Sequence, residues 1–261
     1  MIACRGHLNP GDPDVRMERV PLGSRLGELA RHVWIGRWDI PGGQTRRQQV
    51  LTYPGCNIAV MPQEAALHGP ALRLSTRDLR GTSWVVGVLL QPAAARTLTR
   101  TPPRRLVDSC EPLPAGPWRE IRELMTVGPY GEVVDVLEGW LLPYAALVDD
   151  TGRLVNAACH LAETDASVLT AAVLAQRLGV ADRTLRRALA ERTGVTAKWL
   201  IERRRLQHAA EVLRRHPSTS LARLAADLGY ADQPHFTRRY RDIIGRPPGR
   251  ARLGSPASAR R

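Results

Sequence analysis

Arg183, Arg186 and Arg187 stand at i, i+3 and i+4, with Ala190 at i+7, so a helix over 182–193 aligns three guanidiniums on one face. Leu185, Ala188 and Leu189 fall on the opposite face and supply a buried stripe. On a helix in the DNA major groove, the planar fork of an arginine pairs with guanine O6 and N7. A merely solvated face would have the same composition, so the reading depends on what precedes the helix. A second set lies about 50 residues further on. There Gln233, Pro234, Thr237, Arg238 and Arg241 point outward, opposite Phe236, Tyr240 and Ile243 or Ile244. Thr184 and His235 flank the two sets. Thr237 suits a phosphate, as does Arg241 near the helix end, whereas Pro234 offers apolar contact alone.

Each set needs an element that presents it. Leu221, Leu224, Ala225 and Leu228 form one stripe of a two-turn helix, which Gly229 breaks because glycine takes positive φ without steric cost. Asp232 then serves as N-cap of the next helix, Pro234 sits in its first turn, and Gly245 closes it before Pro247 and Pro248. Helix, glycine turn and helix with an arginine face make a helix-turn-helix. Leu174-Ala175, Leu178-Gly179 and Ala181-Asp182 recur as Leu224-Ala225, Leu228-Gly229 and Ala231-Asp232, each displaced by 50 residues. Gly194 and Gly245 are 51 apart, so the second unit has one extra residue in its outward helix.

The runs LAQRLGVADRTLRRALAERTGVTAKWL, RRRLQHAAEVL and LARLAADLGYADQPHFTRRYRDIIGRPP resemble the DNA-binding domain of the AraC/XylS family of bacterial transcription regulators. The likeness spans roughly 168–252. It implies that the two units read successive major grooves of promoter or operator DNA, with Gln233 and Arg238 at base-reading positions. It also implies that Arg205 is tied into the core, while Arg203 and Arg204 read as solvated. Pro234, Pro247 and Ala251 depart from the family pattern. YPGCNIAV, LHGPAL and GVLLQPAAARTL resemble an uncharacterised cupin-like domain found ahead of such units. From the family resemblance come three further expected partners: RNA polymerase, a small-molecule effector and a second copy of the chain.

Charge supports a polyanion partner. Residues 168–261 hold 20 Lys and Arg against 7 Asp and Glu, whereas residues 1–167 hold 18 of each. Cys4, Cys56, Cys110 and Cys159 are far apart, form no metal-ligand spacing and read as reduced thiols. His7, His32 and His68 are isolated, so neither a metal nor another cofactor is expected. No nucleophile elbow, phosphate loop or dinucleotide fingerprint occurs, and the chain reads as no enzyme. A cupin-like enzyme fused to a DNA-binding domain is the alternative, as is an architectural DNA protein of low specificity. No apolar run approaches a membrane span, and the expected location is the cytoplasm.

The expected fold is α+β in two domains. Residues 1–20 read as a disordered extension, with Met17 an alternative start. Residues 21–150 read as a cupin-like antiparallel β-barrel with trailing helices, built from VWIGRWDI, QQVLTYPG, NIAVMP, PALRLS and SWVVGVLLQP. The helical stretch 117–148 either covers the barrel or forms a dimer pair. Trp34, Trp38, Tyr53 and Trp84 are the candidate effector-pocket residues. Residues 151–167 read as linker, 168–254 as the all-α tandem helix-turn-helix domain, and 255–261 as a basic tail. The fragment 160–254 is expected to fold alone.

Overall fold

The computed structural model describes residues 7–8, 11–128 and 130–251. Its N-terminal half contains β1 (Val15–Pro21), β2 (Ala30–Asp39), β3 (Arg46–Val50), β4 (Asn57–Val60), β5 (Ala65–His68), β6 (Ser75–Leu79), β7 (Thr82–Leu90) and β8 (Cys110–Pro112). Six strands pair antiparallel in the order β1-β2-β7-β4-β5-β8, while β3 and β6 form a separate two-stranded ribbon. The expected barrel is therefore not closed. Single-turn helices α1 (Ala95–Leu98) and α2 (Pro103–Leu106) precede α3 (Trp118–Val127) and α4 (Gly131–Ala145).

Strand alternation explains the layering. Val33, Ile35, Ile58, Val60, Leu67, Val86 and Val88 face one way and are buried against Trp118, Ile121, Met125, Val133, Leu137 and Leu141 of α3 and α4. These helices thus cover the sheet, the plainer of their two expected roles. The opposite face carries Trp38 with Val15 and Val85, and Trp34 lying flat on Gly87.

Three sequence expectations need correction here. Residues 15–20, read as disordered, belong to β1, whose register runs from Val15 opposite Trp38 to Pro21 opposite His32. The turn residues just before it masked a period-two strand, VRMERVP. Of the rest of that extension, residues 1–6 and 9–10 lie outside the described residues, as does the tail after 251. QQVLTYPG is strand through Val50 alone, and PALRLS is mostly loop leading into β6. The third correction concerns the linker. Residues 150–164 form α5 (Asp150–Thr164), capped by Asp149 accepting from Gly152 N at 2.8 Å.

The buried stripe of α5, Val155, Ala158, Cys159 and Ala162, joins the interior of the first helix-turn-helix unit. That unit is α6 (Ala171–Arg177) and α7 (Asp182–Arg192); α8 (Ala197–Arg215) connects it to α9 (Leu221–Asp227) and α10 (Gln233–Ile244), followed by α11 (Pro248–Ala251). A fragment starting at 160 would cut α5 and lose Val155, Ala158 and Cys159 from that interior.

The two halves share a seam. Leu51, 1% exposed, is buried among Leu206, Ala209, Leu213, Leu224, Phe236 and Tyr240 of the C-terminal half. Around it, Gln207 Nε2 donates to Leu51 O (2.9 Å), Leu74 N to Ile243 O (2.9 Å), and Arg31 pairs with Glu163 (2.9 Å). Asn156 Nδ2 donates to Glu28 O, and its Oδ1 accepts from Ala93 N.

Leu51→Ala is accordingly expected to cost about 2–5 kcal/mol, the range for emptying a buried leucine site. Hydrogen exchange should quicken in α9 and α10 as well as locally, and denaturant unfolding measures the loss. A pH effect is also expected. Burial, then the neighbouring Arg19 and Arg31 charges, lower the His32 pKa to about 4. The unfolded chain then binds the extra proton first, so stability is full above about pH 6.5 and falls as pH drops toward 4. His32→Gln should flatten that acid limb in melting curves taken from pH 7 to 4.5.

Candidate nucleic-acid interface

Both units are built as their turns require. Thr170 caps α6 by accepting from Val173 N, and Ser220 caps α9 by accepting from Arg223 N. Gly179 (φ 66°) and Gly229 (φ 72°) make the turns, a left-handed conformation costly for a residue with a Cβ. Asp232 Oδ1 accepts from His235 N at 2.6 Å and opens α10, with Pro234 harmless in the first turn. α10 has 12 residues and α7 has 11, as the glycine spacing requires.

On α7, Arg183, Thr184, Arg186 and Arg187 are exposed, while Leu185, Ala188 and Leu189 are buried. The three arginines do not stand alike. Arg186 is ion-paired with Asp182, one turn back, whereas Arg183 and Arg187 have no acidic partner among the described residues. On α10, Gln233, Pro234, Arg238 and Arg241 are exposed and Thr237 is half-buried. His235 is half-buried with its ring 5.4 Å from Tyr230, so it belongs partly to the core.

Arg239 escaped sequence reading because it lies off the outward stripe. It forms a two-pronged pair with Glu202 of α8, at 2.5 Å and 2.5 Å, raising its own pKa and fixing how α10 sits on α8. The expectation that Arg203 and Arg204 are solvated is overturned. Arg203 is 3% exposed, its Nη2 donates to Ala71 O, and its guanidinium lies 4.5 Å from the Trp199 ring centroid. Burial lowers its pKa to about 10. Arg204 is half-buried and donates to Asp165 O and Val168 O. The cause is tertiary: an N-terminal loop covers Arg203, and the segment between α5 and α6 covers Arg204. Arg205 donates to Leu169 O beneath the Gly229 turn, a structural place.

The four aromatic residues do not meet. Trp34, with Nε1 donating to Asn57 Oδ1, and Trp38, with Nε1 donating to Arg80 O, lie on the sheet face away from the helices. Trp84 lies against the interior beneath α3 and α4. Tyr53, under the Arg31 guanidinium, lines a cavity of about 20 Å³ at the seam with Cys159, Leu200 and Arg203, room for about one water molecule. Cys56 and Cys159 are buried thiols, the first pushed up to about 12 by burial, and Cys110 is exposed. Cys4 lies outside the described residues. Among the described residues no group of three or more His, Cys, Asp or Glu is placed to hold a metal, and no helix is long and apolar enough to cross a membrane.

A protein-family model described as a helix-turn-helix domain matches residues 174–253, and one described as a domain of unknown function (DUF6597) matches 19–112. The chain is 33% identical over 106 residues to the HTH-type transcriptional activator RhaS of Escherichia fergusonii, covering 41% of this chain and 38% of that one. It thus spans well under half the length of this curated relative. Among solved structures, an AraC-type transcriptional regulator from Chromobacterium violaceum is 26% identical, with TM-score 0.36, over 40% of this chain and 96% of that one. A probable AraC family regulator from Rhodopseudomonas palustris is 25% identical, also at TM-score 0.36, over 39% and 95%.

The Arg186–Asp182 pair generates an expectation for α7. Asp182→Asn should free Arg186 and tighten DNA binding several-fold at low salt, at a cost of about 0.3–1 kcal/mol in helix stability from losing a first-turn acid. Arg187→Ala should instead weaken binding by about 1–3 kcal/mol and relax preference at one or two base pairs. Titration of both variants against one duplex, with melting curves, compares the two effects.

Proposed function

We propose that the chain is a sequence-specific DNA-binding transcription regulator of the AraC/XylS type, a reading its C-terminal half supports through the helix-turn-helix family model and its likeness to a transcriptional activator. Two helix-turn-helix units bind successive major grooves of a promoter or operator. The observation that carries the reading is the pair α7 and α10: each buries an apolar stripe and turns arginines outward, in the half holding the whole positive excess. Arg183, Arg187 and, once released, Arg186 read base edges from the first unit, with Thr184 beside them. Gln233 and Arg238 read from the second, while Thr237 and Arg241 hold phosphates and His235 steadies the helix opening. With Pro234 at that opening, discrimination comes mainly from the first unit.

The N-terminal half is the regulatory half. Support comes from the seam, where Leu51, Ala71 and Leu74 touch α8 and α10 directly. A small-molecule effector would meet the sheet face of Trp34 and Trp38, and movement of the β3–β6 ribbon would reach α10 through Leu51 and Leu74. RNA polymerase and a second copy of the chain are partners within this reading. So is a cytoplasmic location, where bacterial promoters are.

Selection from a randomised duplex library, followed by affinity against salt, tests it. A defined motif is expected, with log K falling against log salt at about 0.9 per phosphate neutralised. Loss of affinity for scrambled sequence should reach about a thousandfold or more. Equal binding to every sequence would instead support an architectural protein.

A further inference from the structure

The neutral balance of the N-terminal half hides a local excess. Residues 93–107, AAARTLTRTPPRRLV, contain four arginines, Arg96, Arg100, Arg104 and Arg105, and no acid. All four are exposed, and none has an acidic partner among the described residues. The apolar residues of the stretch turn the other way. Leu106 enters the sheet–helix interior, while Ala93 and Val107 join the interior of the first helix-turn-helix unit.

The fold sets this stretch against the outward helix of that unit. α2 packs on α7. Gly194, just beyond α7, is approached so closely that a Cβ there would lie 2.8 Å from Arg104 Cα and 2.9 Å from Val107 Cγ2. Asp108, the next acid in the chain, accepts from Leu72 N, and Asp149 is held by Arg192 of α7 at 2.6 Å. A helix in a major groove about 12 Å wide has a phosphate strand on each side, so an element packed beside that helix lies near the backbone.

We infer that Arg100, Arg104 and Arg105, with Arg96 behind them, form a phosphate-binding patch by which the N-terminal domain holds duplex DNA flanking the first unit's half-site. The inference rests on the DNA-binding reading above and extends it to a domain whose net charge points to no anion. Such contacts read no bases; they add affinity and fix register. They also make the angle between the N-terminal domain and α7 part of the binding free energy.

The test uses the full chain, the motif selected by the parent protein, and the variant Arg100→Gln/Arg104→Gln/Arg105→Gln. Two duplexes are compared: one ends at the motif edge on the first unit's side, and the other extends about one helical turn beyond it. On the long duplex the variant should bind about ten- to a hundredfold more weakly near 50 mM salt, with the salt slope reduced by about two to three. The selected motif and the melting temperature should not change, since the three side chains are exposed and unpaired. On the short duplex parent and variant should bind nearly alike. Equal affinity and slope on the long duplex would overturn the patch, and so would an equal loss on both duplexes. If the parent itself shows no salt-dependent binding to any duplex, the DNA reading fails and takes the patch with it. Arg187→Ala, run alongside, weakens both duplexes if that reading holds.

Discussion

One helix, α8, belongs to two hydrophobic interiors, and most of the molecule depends on that sharing. Its first turns supply Ala197, Leu200 and Ile201 to the first helix-turn-helix unit, and its later turns supply Leu206, Ala209, Ala210 and Leu213 to the second. Nineteen residues at about 1.5 Å each make a rod on the order of 28 Å long, which sets how far apart the two units stand. Between its two apolar stretches lies Arg203, and burying a guanidinium there costs several kcal/mol unless its surroundings compensate. Trp199 below the cation, Ala71 O as acceptor and the charges of Asp108 and Glu202 nearby offset part of that cost, while Nε and Nη1 of Arg203 are buried without a hydrogen-bond partner among the described residues. Two of these groups, Ala71 and Asp108, come from the N-terminal half.

The seam is therefore part of the folded core and not a loose contact between finished domains. Leu51 closes the interior of the second unit, and α5 closes that of the first. Separating the halves would expose Leu51 and leave Arg203 without its carbonyl. Within this arrangement the Arg239–Glu202 fork holds α10 on α8. A shift of the β3–β6 ribbon thus has a short, stiff route to the second outward helix, made of packed side chains and one backbone bond from Leu74 to Ile243.

Electrostatics divides along different lines from the fold. The outward arginines of α7 and α10 are exposed, so their field is screened by salt and acts over roughly 10 Å. Arg186 is partly cancelled by Asp182. By contrast, the N-terminal half balances its charges as a whole but not stretch by stretch, and the acid-free run 93–107 sits where the fold brings it beside α7. Net charge per domain is a coarse measure once two domains share surfaces.

Elements made by nearest neighbours in the chain were legible in the sequence alone. Both glycine turns, the Asp232 cap, the closing glycines and the inward and outward faces of α7 and α10 follow from steric and capping rules acting over a few residues. So does the family likeness. What escaped was decided by contacts distant in sequence. The strand in β1 acquires its partner across a turn and a loop, and polar residues before it concealed its alternation. α5 looked like a linker because its stripe of Val155, Ala158, Cys159 and Ala162 is weakly hydrophobic, and it became a core helix by packing against α7 and α8. Arg203 and Arg204 read as solvated because what covers them comes mostly from elsewhere in the chain: Ala71 O, more than 100 residues away, accepts from Arg203, and the segment after α5 accepts from Arg204. Side-chain direction is local physics, but what stands opposite a side chain is settled only when the chain folds back on itself.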